Sequence, residues 1–167
     1  MPDGVTGTGI GAAVKRLEDR RFLTGKGNYV DDIDRPDQTY AYILRSPHAH
    51  ATINSIDTNE AGKAPGVVAL FTGSDMEVGG LPCGWQIHSE DGTPMHEPPH
   101  PPLAVGKVRH VGDQVAVVIA NSLEQAKNAA EKINVHYGIL PAVMDMKVAE
   151  AGGTLVHEDI GTNKCYD

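Results

Sequence analysis

The chain has 167 residues, a formal net charge of −8, 40% hydrophobic residues and 22% charged residues, the profile of one soluble globular domain with a core of its own. An acidic surface repels phosphate backbones and anionic lipid, so nucleic-acid binding is not expected. No apolar run reaches the roughly 20 residues that span a bilayer, so no membrane insertion is expected.

Residues 1–11 are rich in glycine and threonine and read as a flexible leader. Gly7-Thr8-Gly9-Ile10-Gly11 looks superficially like a dinucleotide loop, but no strand precedes it and Pro2 lies close by. The leader has neither a basic start nor an apolar stretch, so it does not read as a secretory signal. Lys15, Arg16, Arg20 and Arg21 form a local basic cluster, interleaved with Glu18 and Asp19. That pattern predicts a self-paired, solvated face. Two cysteines, Cys83 and Cys165, lie far apart and in no metal-ligand spacing. Free thiols in a cytoplasmic setting are the expectation.

Leu23–Val30 leads through two glycines into Asp31-Asp32 and a turn around Arg35-Pro36-Asp37. Tyr40–Arg45 is rich in strand formers and is stopped by Ser46-Pro47. Ala51–Ile56 reads as a second strand, Thr58–Ala64 as a short helix ended by Pro65-Gly66, and Val67–Phe71 as a wholly apolar, buried strand. Residues 75–102 have no hydrophobic period and carry six prolines, with glycines and histidines between. They read as a long arm, partly polyproline II near Pro98–Pro102.

Gln114–Ala120 reads as a buried strand. Ser122 then caps a helix, with Gln125 as its capping-box partner, and Leu123, Ala126, Ala129, Ala130 and Ile133 fall on one face. Ile133–Tyr137 reads as the next strand, and a short helix is expected within Ala142–Ala149. Residues 53–71 and 117–137 both run strand, polar cap, helix, strand. The echo suggests either two related β-α-β halves on one mixed sheet or convergent local structure.

Five stretches in order carry a family resemblance: Gly9-Ile10-Gly11 through Arg21–Asp32; Leu44–Ala51, with Ser46-Pro47-His48-Ala49-His50; Pro65–Ala69 with Thr72-Gly73; Pro102-Leu103-Ala104 with Val108–Ala116; and Leu140–Val143 with Leu155-Val156-His157. Together they cover nearly the whole chain. The sequence resembles the N-terminal α/β hammerhead domain of the xanthine dehydrogenase, aldehyde oxidase and aerobic carbon monoxide dehydrogenase family, and the carbon monoxide dehydrogenase-like large subunits more than the animal xanthine oxidases. It departs from the pattern at His110, often tyrosine, at Gln114, often proline, and at Gly138, often acidic.

The resemblance implies an α+β fold, with mixed β-sheets and short helices. It implies a part of a molybdenum-pterin oxidoreductase that hydroxylates an aldehyde, an N-heterocycle or a carbon monoxide-type substrate. Iron–sulfur clusters and FAD sit on partner subunits in such enzymes. The glycine-rich pterin loops and the glutamate base lie downstream of this domain, so no catalytic, cofactor-binding or metal-binding residue carries over to this chain. It is expected to bind no cofactor and to be inactive alone, serving as a scaffold and channel domain beside the remainder of the large subunit. The alternative is a non-catalytic assembly or binding module that reuses the domain.

Three residues of the arm are candidates for a role: Cys83, Trp85 and His88. In the family the equivalent arm helps to wall the substrate channel, so Cys83–His88 is expected to contribute to that wall or to a subunit contact; Trp85 folded back on its own domain is the other reading. His48 and His50, two apart, fall on one face of a strand, a spacing one metal can use. Pro47 breaks the strand, however, and the resemblance gives this stretch a structural, turn-bonding part. His96 and His100, with His88 and the acids of the arm, are spaced too irregularly for a preformed metal site and read as a solvated or partner-contacting loop.

Overall fold

The computed structural model describes Ile10 and residues 15–167. Apart from Ile10, the leader expected over residues 1–11 lies outside the described residues. The chain divides into two compact units, Met1–Gln38 and Thr39–Asp167.

In the first unit, helix α1 (Asp19–Leu23) is followed by a 3₁₀ turn at Val30–Asp32. The basic cluster pairs with its own acids, as the interleaving predicts. Arg16 Nε lies 2.8 Å from Asp19 Oδ1, and Arg21 Nη2 lies 2.6 Å from Glu18 Oε1. Phe22 stacks on Tyr29 with ring centroids 5.4 Å apart.

The second unit contains two three-stranded sheets, antiparallel throughout. Strands β1 (Tyr40–Arg45), β5 (Gln114–Ala120) and β3 (Val67–Thr72) form one, in the order β1-β5-β3. Strands β4 (Lys107–Val108), β2 (Ala51–Asp57) and β6 (Asn134–Ile139) form the other, in the order β4-β2-β6. Helices α2 (Asn59–Gly62), α3 (Leu123–Ala130) and α4 (Met146–Glu150) complete it.

The internal echo is real, but the expectation of one mixed sheet is not met. Strand β2, α2 and β3 cross from the second sheet to the first; β5, α3 and β6 cross back. Each strand of one unit pairs with a strand of the other, β2 with β6 and β3 with β5. Antiparallel pairing across the two units places α2 and α3 in one layer. The core forms between that layer and β5, around Ala61, Ala116, Val118, Ala129, Ala130 and Ile133. A second cluster, Ala51, Ala104, Val108 and Val115, shares Ile56 and Val135 with the first, and there the two sheets meet.

Small residues govern this packing. Helix α3 buries Ala126, Ala129 and Ala130, so its backbone approaches β5 closely. Ser122 accepts the Gln125 N–H at 3.2 Å, the expected cap. The reciprocal half of the capping box is absent, because the Gln125 side chain turns instead against Gly66. Leu123, expected on the inner face, is 43% exposed, and Ile133 is buried just beyond the end of the helix. Strand β3 also differs from expectation. It is a sheet edge rather than a strand buried on both faces, and Val68 stands 59% exposed.

The arm, residues 75–102, carries no regular strand. It folds on itself through a bridge between His88 and Pro94, with Met95 N–H donating to Ile87 O at 2.9 Å and Ser89 N–H to Thr93 O at 2.8 Å. Leu81 N–H donates to His100 O at 2.7 Å and closes its base. The chain's last residues run beside it: His96 N–H donates to Cys165 O at 2.9 Å and Glu90 N–H to Asp167 O at 3.0 Å.

Candidate functional site

Strand register brings four separated segments to one end of the two sheets. In the β1–β5 pair Arg45 lies opposite Gln114, so Ser46 meets the loop before β5. Ser46 N–H donates to Asp113 O at 2.8 Å, Gly112 N–H donates to Ser46 O at 2.8 Å, and Arg45 Nη1 donates to Gly112 O at 2.9 Å. Gly112 takes a positive φ of 88° to make this turn. In the second sheet Ala51 lies opposite both Val108 and Ile139. His50 therefore sits beside Arg109 on one side and Leu140-Pro141 on the other.

The Ser46–His50 stretch bonds its own turn. Ser46 Oγ accepts His48 N–H at 3.0 Å and lies 3.0 Å from His48 O, to which its hydroxyl donates. His48 meets the Tyr137 ring edge to face, centroids 4.9 Å apart. Burial pushes the Tyr137 hydroxyl above its usual pKa, against a lowering influence of the nearby Ser46 side chain. His50 is buried, and its Nδ1 lies 2.8 Å from Pro141 O, so Nδ1 carries the proton and donates. Its Nε2 has no partner among the described residues.

On the other side, Arg109 N–H donates to Asp113 Oδ2 at 2.9 Å, and the Arg109 guanidinium donates through Nε to Val156 O at 3.2 Å. Lys107 Nζ is held by both oxygens of Glu158, at 2.7 and 2.8 Å. That hydrogen bond keeps the exposed Glu158 carboxyl below its usual pKa. Asn163 closes the tail: its Oδ1 accepts Val156 N–H at 2.9 Å and its Nδ2 donates to Thr154 O at 2.7 Å. Between these groups and the end of the arm lies a cavity of about 200 Å³, walled by Pro98, Pro99 and Pro101 and by His100, Arg109 and His157. Burial lowers the His157 pKa, and the neighbouring Arg109 charge lowers it further; Asp159 and Glu158 oppose both.

The three predicted arm residues lie elsewhere. Cys83 N–H donates to the Glu97 carboxylate, and Cys83 Sγ lies 3.2 Å from Trp85 O. Gln86 Nε2 donates to the other Glu97 oxygen at 2.7 Å. Cys83 and Trp85 are thus held in one turn, while His88 opens the small hairpin that follows. Trp85 is 80% exposed and is not folded back on the chain. Sequence reasoning did not single out Arg109, His157 or Asn163 for any role. Arg109 and His157 were visible only inside family-like stretches, and nothing in the sequence marked Asn163.

A pterin dinucleotide needs a glycine-lined cradle for its pyrophosphate. No glycine lines four of the cavities that the described residues form. Gly73, Gly80 and Gly138 are closed off by the chain's own atoms. No group of three or more His, Cys, Asp or Glu side chains among the described residues converges as a metal site. These cavities therefore offer the molybdenum-pterin group no glycine cradle. No described helix is long and apolar enough to cross a membrane.

Two small antiparallel sheets cross-linked by short helices, with a long arm and a hydrogen-bonded cluster at one end, define an α/β hammerhead architecture. Residues 24–141 match the family model described as "Aldehyde oxidase and xanthine dehydrogenase, a/b hammerhead domain", and the chain belongs to that family. It is 38% identical over 153 residues to the carbon monoxide dehydrogenase large chain of Afipia carboxidovorans, covering 91% of this chain and 18% of that protein. It is 35% identical over 155 residues to the nicotine 6-hydroxylase large subunit of Paenarthrobacter nicotinovorans, covering 92% and 18%. The crystal structure of quinoline 2-oxidoreductase from Pseudomonas putida 86 superposes with a TM-score of 0.74 at 36% identity, over 87% of this chain and 18% of that one. The chain thus spans under a fifth of the length of these relatives, which are by name a dehydrogenase, a hydroxylase and an oxidoreductase.

Proposed function

We propose that this chain is a framework domain of the large subunit of a molybdenum-cofactor hydroxylase, and that the arm around Cys83, Trp85 and His88 forms part of the substrate channel wall or of a subunit contact. The observation that carries this reading is the match along nine-tenths of the chain to large subunits of such enzymes. It is supported by a single large aromatic, Trp85, held out from the chain by a turn that Glu97 fastens at two points. Exposed, positioned aromatics of this kind serve as anchors against a neighbouring surface or a passing apolar ligand.

The substrate is an aldehyde, an N-heterocycle or a carbon monoxide-type molecule. The molybdenum-pterin cofactor is bound by the remainder of the large subunit, and iron–sulfur and FAD subunits are the partners that carry electrons away. This chain's own contribution is steric and positional. The Ser46–His50 turn, the Arg109–Asp113 loop and the Asn163-closed tail hold one rigid end, and the arm projects as a separately fastened loop.

In the complete enzyme, Trp85→Ala is expected to raise KM several-fold while leaving molybdenum content unchanged. Kinetics and subunit assembly both unaltered would refute the role given to the arm. Turnover of an aldehyde or heterocycle by this polypeptide alone would refute the framework reading as a whole.

A further inference from the structure

Two cations line the cavity beside the arm, Lys107 and Arg109, and they are in different states. Lys107 is neutralised by Glu158 at 2.7 and 2.8 Å. The Arg109 guanidinium makes one hydrogen bond among the described residues, from Nε to a backbone carbonyl, and no ion pair. Asp113 is spoken for: its Oδ2 accepts the Arg109 backbone N–H and lies 3.7 Å from His110 Nδ1.

A guanidinium cannot shed its charge. Half-buried against three prolines, it is costly to leave without a counter-ion. Its free edge presents parallel N–H donors, the fork that a carboxylate matches with two hydrogen bonds. We infer that the Arg109 cavity is a receptor for a single carboxylate group, with the Arg109 guanidinium as its fork and Pro98, Pro99 and Pro101 as its apolar wall.

The surrounding charges select a monoanion. Asp113 lines the cavity and its charge opposes a second negative charge there, whereas Glu158 is taken up by Lys107. Burial, and after it the Arg109 charge, disfavours the protonated His157 ring, against Asp159 and Glu158. A carboxylate on Arg109 cancels the charge that suppresses protonation of His157, so binding draws a proton toward that ring. His50, whose Nε2 has no partner among the described residues, lines the adjoining cavity of about 250 Å³, which shares Arg109 and His110 with the first.

A carboxylate can come from a small free acid or from an Asp or Glu side chain of the polypeptide around this domain. Only the second source rests on the framework reading. Acetate, exchanged against chloride at constant ionic strength, is titrated into the 167-residue chain while the Arg109 Nε–Hε and His157 imidazole resonances are followed. Both are expected to shift saturably, with the His157 pKa rising. Arg109→Gln is expected to weaken the His157 response at least about tenfold. Arg109→Lys, which keeps the charge and loses the fork, falls between them and stands in if the Gln variant does not fold. A linear, unsaturable response, an equal response in Arg109→Gln, or tighter binding of inorganic phosphate would overturn the inference.

Melting of the complete enzyme separates the sources. A free acid is the source if acetate raises the melting temperature of the wild type and not of Arg109→Gln. A side chain is the source if acetate leaves the wild type unchanged and Arg109→Gln melts lower. If neither acetate nor the substitution moves the melting temperature, the receptor is refuted. Saturable binding to the chain would survive failure of the framework reading.

Discussion

Replacing Val118 with alanine tests how the core is built. Val118 lies at the centre of β5, opposite Tyr42 on one side and Leu70 on the other, and is fully buried under the alanines of α3. The substitution removes two methyl groups, worth about 1.6 kcal/mol of transfer free energy at ~0.8 kcal/mol each. The helix above is already at its closest approach through Ala129 and Ala130, so the void cannot collapse and adds about 1 kcal/mol more. The expected loss is about 2–3 kcal/mol. With a urea m-value of about 2 kcal/mol/M, the unfolding midpoint falls by roughly 1–1.5 M. Val117, the next residue, faces the other side of the sheet and is only half-buried, and Val117→Ala should cost less than about 1 kcal/mol. Equal losses at the two positions would mean that α3 does not cover the face assigned to it.

Three further outcomes are expected. Ser122→Ala removes the cap of α3 and should lower stability by about 1 kcal/mol in urea unfolding, whereas Ser122→Asp should be near neutral. Gly66 holds a φ of +80°, and a Cβ there would meet the Gln125 side chain at 2.2 Å. Gly66→Ala should therefore cost about 2 kcal/mol, and adding Gln125→Ala should recover only the steric part, leaving the backbone strain of about 1 kcal/mol. The His157 pKa is lowered in the folded chain, so the unfolded chain binds its proton more readily. The stabilisation from keeping that ring neutral is complete above the unfolded value of about 6.5 and is lost as pH falls through it toward the folded value. Urea midpoints at about pH 7 and about pH 5.5 should differ less in His157→Gln than in the wild type.

The strands were legible because most of them are short runs of β-branched and aromatic residues bounded by proline, glycine or a cap. Tyr40–Arg45 and Gln114–Ala120 were expected at the positions where they form. Strand β4, two residues long, has no pattern to read, and it exists because Val108 pairs with Ala51 on the edge of β2. The division into two sheets was equally invisible. Local sequence specifies a strand-helix-strand unit but not which sheet receives its second strand; the pairing of β2 with β6 and of β3 with β5 decides that. The apolar run Val67–Phe71 reads as a buried strand yet forms an edge, since apolar composition alone does not distinguish an inner strand from an edge.

Of the site, the turn-bonding part of Ser46–His50 could be anticipated, because proline and small polar residues announce it. The convergence of Arg109 and His157 could not. Arg109 bonds Val156, 47 residues further along the chain, and no local pattern announces a pairing at that distance. Gly138 shows how local departures hide such geometry. There the Thr52 hydroxyl fills the space, 2.5 Å from where a Cβ would stand.

The single backbone bond from Leu81 to His100 has an evolutionary consequence. It closes the arm at its base, so the segment between can change in length without altering the strands on either side. Doubling a closed loop adds only about 0.6 kcal/mol of closure entropy, far less than one misplaced core methyl group costs. Within this family, insertions and deletions between residues 82 and 99 should accumulate outside the Cys83–His88 turn, Glu97 and the Pro98-Pro99 wall, whereas the buried alanines of α3 should vary little in side-chain volume.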